Sequence, residues 1–253
     1  MAPTALITGP TAGIGACFAH QLARRGYDLV LVARDEQRLL ALAAEVEREY
    51  GVSTDVLVAD LSDRAATGRV EARLADPDRP VDLLVNNAGF GHKRPFLENS
   101  VEDEQQMLDV LVTAVLRLSH AALGAMVARG DGAIINVSSV AGFLPRGTYS
   151  AAKAYVTSLS EWADLTYRDQ GVRVMALCPG FTKTEFHERM DVSRDSAPGW
   201  MWLEADRLVA DALADLEKGK RLSVPSKRYK VLTGVARYTP STVLGKLQGL
   251  GRR

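Results

Sequence analysis

Short apolar runs alternate with longer helical patterns along this chain, and no other feature constrains its fold as strongly. The runs have the composition of strands covered on both faces, and they occupy residues 4–8, 28–33, 54–59, 81–86, 132–138 and 172–178. Helical spacing of apolar side chains fills the intervals, at about 13–25, 34–50, 62–75, 100–129 and 149–170. This alternation predicts an α/β fold, with one doubly wound parallel sheet and helices on both of its faces.

Size and charge narrow the class of protein further. The 253 residues and the 47% apolar content fit a single domain over residues 1–253 with a sizeable core. The formal net charge is zero, so charge gives no reason to expect nucleic acid as a partner. Two distant cysteines, Cys17 and Cys178, and four scattered histidines predict neither a disulfide framework nor a metal site. Since no basic-then-apolar leader and no apolar run of about 18 residues occurs, we expect a soluble, cytoplasmic protein.

A glycine-rich segment, TGPTAGIG at residues 8–15, follows the first strand and opens the first helix. Gly9, Gly13 and Gly15 can adopt backbone angles that other residues avoid, and they let the main chain approach a pyrophosphate closely. The free N–H groups at the start of the helix attract the phosphates. The segment therefore favours dinucleotide binding. The alternative is a turn with only a packing role.

The end of the second strand indicates which dinucleotide binds. An acidic side chain at this point holds a ribose 2′-hydroxyl, whereas an arginine suits a 2′-phosphate. Arg34 precedes Asp35 here, and its guanidinium can bind a phosphate through two hydrogen bonds or stack on adenine. We therefore expect NADP rather than NAD. The alternative is that Arg34 is a solvated helix residue and that Asp35 contacts the ribose.

Five motifs occur in a fixed order along the chain. They are TGPTAGIG (8–15), NNAG (86–89), NVSS (136–139), YSAAK (149–153) and CPGFTKT (178–184). The ordered set resembles the short-chain dehydrogenase/reductase family over about residues 4–185. The resemblance implies a Rossmann-type domain that binds a nicotinamide cofactor across the carboxyl edge of its sheet.

The same resemblance implies a set of cofactor-binding residues. Asp60 would contact the adenine, residues 87–89 the adenosine ribose side, and Thr182 and Thr184 the nicotinamide and the phosphates. Alternatively, Asp60 is a turn residue, and the asparagines at 86 and 87 are polar residues that end a strand. The complete set is Gly9, Thr11, Gly13, Ile14, Gly15, Arg34, Asp60, Leu61, Asn87, Ala88, Gly89, Tyr149, Lys153, Pro179, Gly180, Thr182 and Thr184.

Tyr149 and Lys153 are the candidate catalytic pair. Residues four apart share a helix face, and a nearby cation is expected to lower a phenol pKa from its ordinary value near 10. Tyr149 could then exchange a proton with a substrate oxygen. By resemblance, Lys153 also binds the nicotinamide ribose and Ser139 holds the substrate oxygen, with Ser138 the less favoured serine. The alternative is that Tyr149 and Lys153 form one turn of an ordinary helix.

One position departs from the family pattern. The resemblance predicts an asparagine within the fourth crossover helix, where it helps to hold a water that passes protons to the lysine, but this sequence has Leu111 there. Leucine has no polar group for this purpose. The departure leaves two hypotheses open: an oxidoreductase with another proton route, and a dinucleotide-binding regulator or scaffold with little turnover.

The leading hypothesis is hydride transfer between NADP(H) and a secondary alcohol or ketone. Residues 186–218 correspond to the substrate lid of the family, and Phe186, Met190, Trp200, Met201 and Trp202 within it favour a hydrophobic substrate. Alternatively, the two tryptophans pack the following helix, predicted at 204–218, onto the body. By resemblance the protein is a homodimer or a homotetramer.

The last segment, residues 227–253, is basic and amphipathic. Ten Lys and Arg and no acidic residue follow Glu217, and Val231, Val235 and Tyr238 recur at helical spacing. Such a segment can lie on an anionic membrane surface. We favour the other interpretation, in which its apolar face packs on the body of the protein or on a second subunit.

Overall fold

The computed structural model describes residues 2–184 and 198–239. Its strands are β1 (Thr4–Thr8), β2 (Asp28–Ala33), β3 (Thr54–Val58), β4 (Leu83–Asn86), β5 (Gly132–Val137), β6 (Val172–Leu177), β7 (Thr182–Lys183), β8 (Leu203–Glu204) and β9 (Leu222–Ser223). Its helices are α1 (Gly13–Arg24), α2 (Glu36–Tyr50), α3 (Arg64–Leu74), α4 (Val101–Leu108), α5 (Val115–Arg129), α6 (Thr148–Tyr167), α7 (Ala205–Glu217) and α8 (Lys227–Tyr238). Every strand and helix predicted within the described residues is present.

The main sheet is parallel throughout, with strand order β3-β2-β1-β4-β5-β6-β9. This confirms the predicted doubly wound sheet. Strand β9 and the small parallel pair β7–β8 were not predicted, because two residues are too few to show a strand period. The β7–β8 pair joins Thr182 to Leu203, on either side of the residues that the structure does not describe.

Two core clusters cover the two faces of the sheet. Successive side chains of a strand point to opposite faces, so Ile7 packs in one cluster and Leu6 in the other. The first cluster joins the sheet to α1, α2 and α7, and the second joins it to α3, α5 and α6. Helices on both faces explain why the strands are apolar without alternation.

A continuous helical stretch, Val101–Arg129, lies on one face of the sheet. It begins at a capping box formed by Ser100 and Asp103, and α4 and α5 are joined by a π-helical turn at Asp109–Ala114. By length and composition alone this helix could cross a membrane, whereas the sequence analysis found no such segment. Its buried side chains, among them Leu118 and Met126, pack in the second core cluster. We therefore assign it to the core.

Candidate active site

The candidate cofactor residues follow the carboxyl ends of β1 to β6, all at one edge of the parallel sheet. The strand order reverses between β1 and β4. In open parallel sheets, ligands bind at the carboxyl edge beside such a reversal. The fold therefore brings the glycine-rich segment, Arg34, Asp60, the NNAG motif and the CPGFTKT motif to one edge of the sheet, where the cofactor cleft is expected.

The glycine-rich segment has the conformation that its sequence predicts. Gly9 and Gly13 have positive φ angles of 66° and 55°, which favour glycine. A Cβ on Gly15 would lie 2.1 Å from the carbonyl oxygen of Gly9, so only glycine allows the turn to close. Ala12 precedes α1 without a side-chain cap. A helix start without a side-chain cap suits a phosphate, which can accept hydrogen bonds from the first N–H groups.

Thr8 connects this segment to β4. Its hydroxyl oxygen accepts hydrogen bonds from the backbone N–H groups of Asn87 and Ala88, both at 3.0 Å. The side-chain nitrogen of Asn87 donates to the carbonyl oxygens of Thr8 and Gly9, also at 3.0 Å. Asn87 thus fixes the shape of the glycine-rich segment. The sequence analysis missed Thr8, because a threonine at a strand end carries no distinctive pattern.

The two charged residues that follow β2, Arg34 and Asp35, have different roles. Asp35 caps α2, since its side chain accepts a hydrogen bond from the Arg38 backbone N–H at 3.0 Å. The Arg34 side chain is 67% exposed, and its Nη1 lies 3.7 Å from Asp60 Oδ2. Burial alone would raise the pKa of Asp60, but hydrogen bonds from Ser62 and the charge of Arg34 lower it below its ordinary value. Arg34 therefore presents an exposed cation directly after β2.

The segment Pro179–Thr184 lies against both the glycine-rich turn and α8. A Cβ on Gly13 would lie 2.9 Å from the Thr184 Cβ, so these two residues are in close contact. A Cβ on Gly180 would lie 2.1 Å from the ring of Tyr229. The Tyr229 hydroxyl accepts from the Phe181 N–H at 3.0 Å and donates to the Met201 carbonyl at 2.8 Å. Tyr229 was missed because this contact joins distant parts of the chain.

The two serines of NVSS have different environments. Ser138 is buried, and its hydroxyl is within hydrogen-bond distance of the Lys153 carbonyl oxygen and the Thr157 hydroxyl, at 2.7 and 2.8 Å. Ser139 is hydrogen-bonded to the hydroxyl of Tyr149. It also accepts from the Ala141 N–H at 3.1 Å. The structure therefore brings Ser139, and not Ser138, to the phenol.

Gly142 allows this close approach. It lies in a short 3-10 helix, Val140–Phe143, that follows Ser139. A Cβ on Gly142 would lie 2.9 Å from the Ala154 backbone nitrogen in α6. Without that Cβ, the turn packs directly on the helix that carries Tyr149 and Lys153.

Tyr149 and Lys153 lie together in the first turns of α6, as their spacing predicts. The Lys153 Nζ is 5.7 Å from the centre of the Tyr149 ring and donates a hydrogen bond to the Val137 carbonyl at 2.7 Å. Burial lowers the pKa of Lys153 to about 8. The expectation of a lowered phenol pKa was wrong: burial raises the pKa of Tyr149 to about 12, offset only in part by the hydrogen bond with Ser139. The Lys153 ammonium donates its hydrogen bond to a backbone carbonyl and not to the phenol. Burial is therefore the largest effect on the pKa of Tyr149.

Leu111 lies in the π-helical turn and is fully buried. A Cβ on Gly89 would be 2.7 Å from its Cδ2 and 3.9 Å from the Lys153 Nζ. Leu111 also packs with Met107 and Ala152, next to the Tyr149 ring. At the position where the family pattern has an asparagine, this protein therefore has an apolar side chain close to Tyr149 and Lys153.

A buried polar network fixes the strands beneath these residues. The Asn86 amide donates to the Asn136 side-chain oxygen at 2.8 Å and to the Ser119 hydroxyl at 3.2 Å. The Asn136 amide donates to the Ser160 hydroxyl at 3.0 Å. These bonds join β4 and β5 to α5 and α6, and they fix the position of α6 relative to the strand that precedes Ser139.

Other clusters of polar residues lie outside the cleft. A groove at the opposite, amino edge of the sheet is lined by charged residues that form ion pairs, such as Arg73 with Asp55 and Arg25 with Glu217. Among the described residues, the grouping with metal-ligand proximity is His20, Glu45 and Glu49, with both carboxylates exposed. None of these residues belongs to the ordered motifs.

Known proteins match both the sequence and the fold. Residues 3–194 match the short chain dehydrogenase family. Over 163 residues the chain is 40% identical to a very-long-chain 3-oxoacyl-CoA reductase of Laccaria bicolor, which covers 62% of this chain and 48% of that relative. The chain spans only 48% to 60% of the lengths of this and the next curated relatives.

Two solved structures cover nearly the whole chain. A short-chain dehydrogenase from Sphingobium yanoikuyae in complex with NADPH has a TM-score of 0.86 at 38% identity, covering 92% of this chain and 93% of that one. The bulky-bulky ketone specific alcohol dehydrogenase from Comamonas testosteroni has a TM-score of 0.81 at 32% identity, covering 94% and 95%. Sequence, strand order and structural matches agree, and this chain belongs to the short-chain dehydrogenase/reductase family of pyridine-nucleotide-dependent oxidoreductases.

Proposed function

We propose that this protein is an NADPH-dependent reductase of hydrophobic ketones, which also oxidises the corresponding secondary alcohols. The observation that carries the proposal is the hydrogen-bonded pair of Ser139 and Tyr149, with the Lys153 ammonium beside the ring. A proton donor, an orienting hydroxyl and a cation at the carboxyl edge of a dinucleotide-binding sheet are what carbonyl reduction requires.

Each residue has a distinct part in this proposal. A bound nicotinamide supplies the hydride for the carbonyl carbon, or accepts it in the reverse direction. Ser139 donates a hydrogen bond that orients the substrate oxygen, and Tyr149 transfers its phenolic proton to that oxygen. Because burial raises the pKa of Tyr149 to about 12, the phenol carries its proton at neutral pH, which favours reduction. Lys153 supplies positive charge next to the ring.

The preference for NADP rests on the end of β2. Asp35 already accepts a hydrogen bond as the cap of α2, which argues against its use on a ribose 2′-hydroxyl. Arg34 is exposed and carries a charge that suits a 2′-phosphate. The NADPH complex of the Sphingobium relative supports the same choice.

A hydrophobic substrate is supported by the side chains near Ser139. Val140 and Phe143 pack, with Phe181 and Met201, in an apolar cluster around Cys178. The Trp202 ring lies 5.5 Å from that of Phe181, whereas the Trp200 side chain is exposed. Phe186 and Met190 lie outside the described residues. The names of the matched relatives, a bulky-ketone dehydrogenase and a very-long-chain acyl-CoA reductase, point the same way.

Leu111 supports a second candidate function, a dinucleotide-binding regulator with little turnover. Its buried apolar side chain lies beside the catalytic pair, where a polar group would serve a proton relay. The two candidates make opposite predictions for catalysis, although both include binding of NADPH.

The experiment measures oxidation of NADPH at 340 nm over a panel of ketones that increase in size and apolarity. The Tyr149→Phe variant should lose turnover by at least about two orders of magnitude, the range for a positioned acid, while it retains NADPH binding. Tyr155→Phe is the matched control on the same helix, and it should keep full activity. Turnover of Tyr149→Phe within a few-fold of the natural protein would refute the catalytic assignment. Binding without turnover of any ketone would favour the regulator.

We also propose that the protein is a cytoplasmic homo-oligomer. Both described cysteines are free thiols, which suits a reducing compartment. Helix α6 exposes Trp162 and Leu165, side chains that a second copy could cover. Light scattering after size-exclusion chromatography measures the assembly, and a monomeric mass at micromolar concentration would contradict this part.

A further inference from the structure

The exposed face of α8 carries a group of apolar side chains. Three apolar side chains are largely in solvent: Val231 is 66% exposed, Leu232 46% and Val235 61%. Together with Arg228 they occupy positions i, i+3, i+4 and i+7, which form one stripe along the helix. An exposed apolar stripe of this kind indicates a contact surface.

The opposite face of α8 is fixed to the body of the protein. Tyr229 and Thr233 are buried, and the Tyr229 hydroxyl bonds to the backbone at Phe181 and Met201. Packing on the body, the interpretation favoured from the sequence, therefore accounts for this side only. It leaves the stripe exposed, and a contact surface would account for three aliphatic side chains in one row.

Basic residues surround the stripe. Lys227, Arg228 and Lys230 are all exposed, and none of them takes part in an ion pair among the described residues. Arg228 lies 5.8 Å over the ring of Trp200, which is itself exposed. Ten Lys and Arg and no acidic residue occur after Glu217, in a chain whose net charge is zero.

From these features we infer that α8 and Trp200 form a docking surface for an anionic lipid bilayer. The aliphatic stripe would enter the boundary of the acyl chains, the tryptophan would lie at the headgroups, and the lysines and arginines would pair with anionic lipid. A two-fold contact of this surface with the same surface of a second copy is disfavoured, because it would bring the same positive charges together without acidic partners.

This orientation would also place the catalytic cleft close to the membrane. Tyr229 on α8 packs against Gly180 of the cofactor segment and bonds to Phe181 and Met201. A docked protein would therefore hold Phe181 and Met201, which pack in the apolar cluster near Ser139, close to the lipid surface. A reductase of hydrophobic ketones would gain direct access to substrates dissolved in the bilayer.

The test is co-sedimentation of the full chain with sucrose-loaded vesicles at low ionic strength. Vesicles of phosphatidylcholine alone are compared with vesicles that also contain phosphatidylserine. We expect binding to the anionic vesicles only, and we expect it to weaken as salt is added. Absence of binding to anionic vesicles at low salt would overturn the inference, whatever covers the stripe instead.

Variants locate the surface. Lys227→Gln/Lys230→Gln should lower the vesicle partition coefficient about 30-fold, from about 1 kcal/mol for each basic residue. Val231→Ser/Val235→Ser should lower it about tenfold or more, because both side chains lose their apolar contact. Both variants should retain NADPH oxidation in solution, since these side chains are exposed and lie outside the catalytic residues.

The matched control removes the same charge elsewhere. Arg48→Gln/Arg64→Gln changes two exposed arginines on α2 and α3, which flank the opposite end of the sheet from β9. Its binding should be unchanged within about twofold of the natural protein, given the spread of surface charge effects. An equal loss in the control would show non-specific attraction and overturn the assignment to α8. A change of oligomeric mass in the valine variant, without any vesicle binding by the natural protein, would assign the stripe to a second copy.

Discussion

Replacing Arg34 with alanine should reduce the discrimination between NADPH and NADH. The two cofactors differ by the 2′-phosphate, and the proposed function assigns that group to the Arg34 guanidinium. Asp35 is occupied as the cap of α2. The substitution therefore removes an interaction that only NADPH makes, and it leaves the interactions that both cofactors share.

The expected magnitude follows from the exposure of this side chain. A hydrogen bond to a charged group contributes about 1.5–3 kcal/mol. The Arg34 side chain is 67% exposed and has Asp60 at 3.7 Å, so solvent and a competing carboxylate both reduce the gain. We therefore expect the lower end, about 1.5 kcal/mol, which corresponds to a rise of about tenfold in the Kd for NADPH. The Kd for NADH should change by less than about twofold.

The assay is a fluorescence titration of each cofactor into natural protein and variants at one ionic strength. Asp35→Asn is the matched variant, because asparagine also caps a helix well but lacks the negative charge. It should leave the Kd for NADH unchanged. Equal weakening of both cofactors by Arg34→Ala would refute the assignment of the 2′-phosphate. A selective loss of NADH binding in Asp35→Asn would show that this carboxylate contacts the ribose.

Three further predictions concern the catalytic cleft. Burial lowers the pKa of Lys153 to about 8, so its positive charge is present below that pH and lost above it; the ketone reduction rate should therefore fall above about pH 8. Lys153→Arg, whose side chain stays charged, should shift this decline in the residual rate to higher pH, and an unshifted decline would exclude Lys153 as its cause. Leu111→Asn places an amide in a fully buried apolar site and should destabilise the protein by at least about 2 kcal/mol. Leu111→Met should cost less than about 1.5 kcal/mol. Equal melting temperatures of these two variants would contradict this prediction. Tyr229→Phe loses both backbone hydrogen bonds and should lower the free energy of unfolding by about 1–3 kcal/mol, seen as a drop of about 2–10 °C in Tm, whereas Tyr155→Phe should leave Tm unchanged.

The sequence by itself determined six strands of the main sheet, the helices between them and the positions of the motifs. Strand and helix periods are local properties, so six strands and the helices between them follow from neighbouring residues. The positive φ angles of Gly9 and Gly13 were expected for the same reason, since only glycine adopts them freely. The face shared by Tyr149 and Lys153 follows from helical geometry alone.

The environments of the site residues were decided by the tertiary structure. The pKa of a group depends on which distant atoms remove it from water, so sequence spacing gave the wrong direction for Tyr149, which burial raises. The choice of Ser139 over Ser138 depends on a turn packed against α6 through Gly142. Tyr229 bonds to a residue 48 positions away, and no local pattern encodes such a contact. Local periodicity fixes the elements of this protein, whereas burial and long-range contacts fix the chemistry of their side chains.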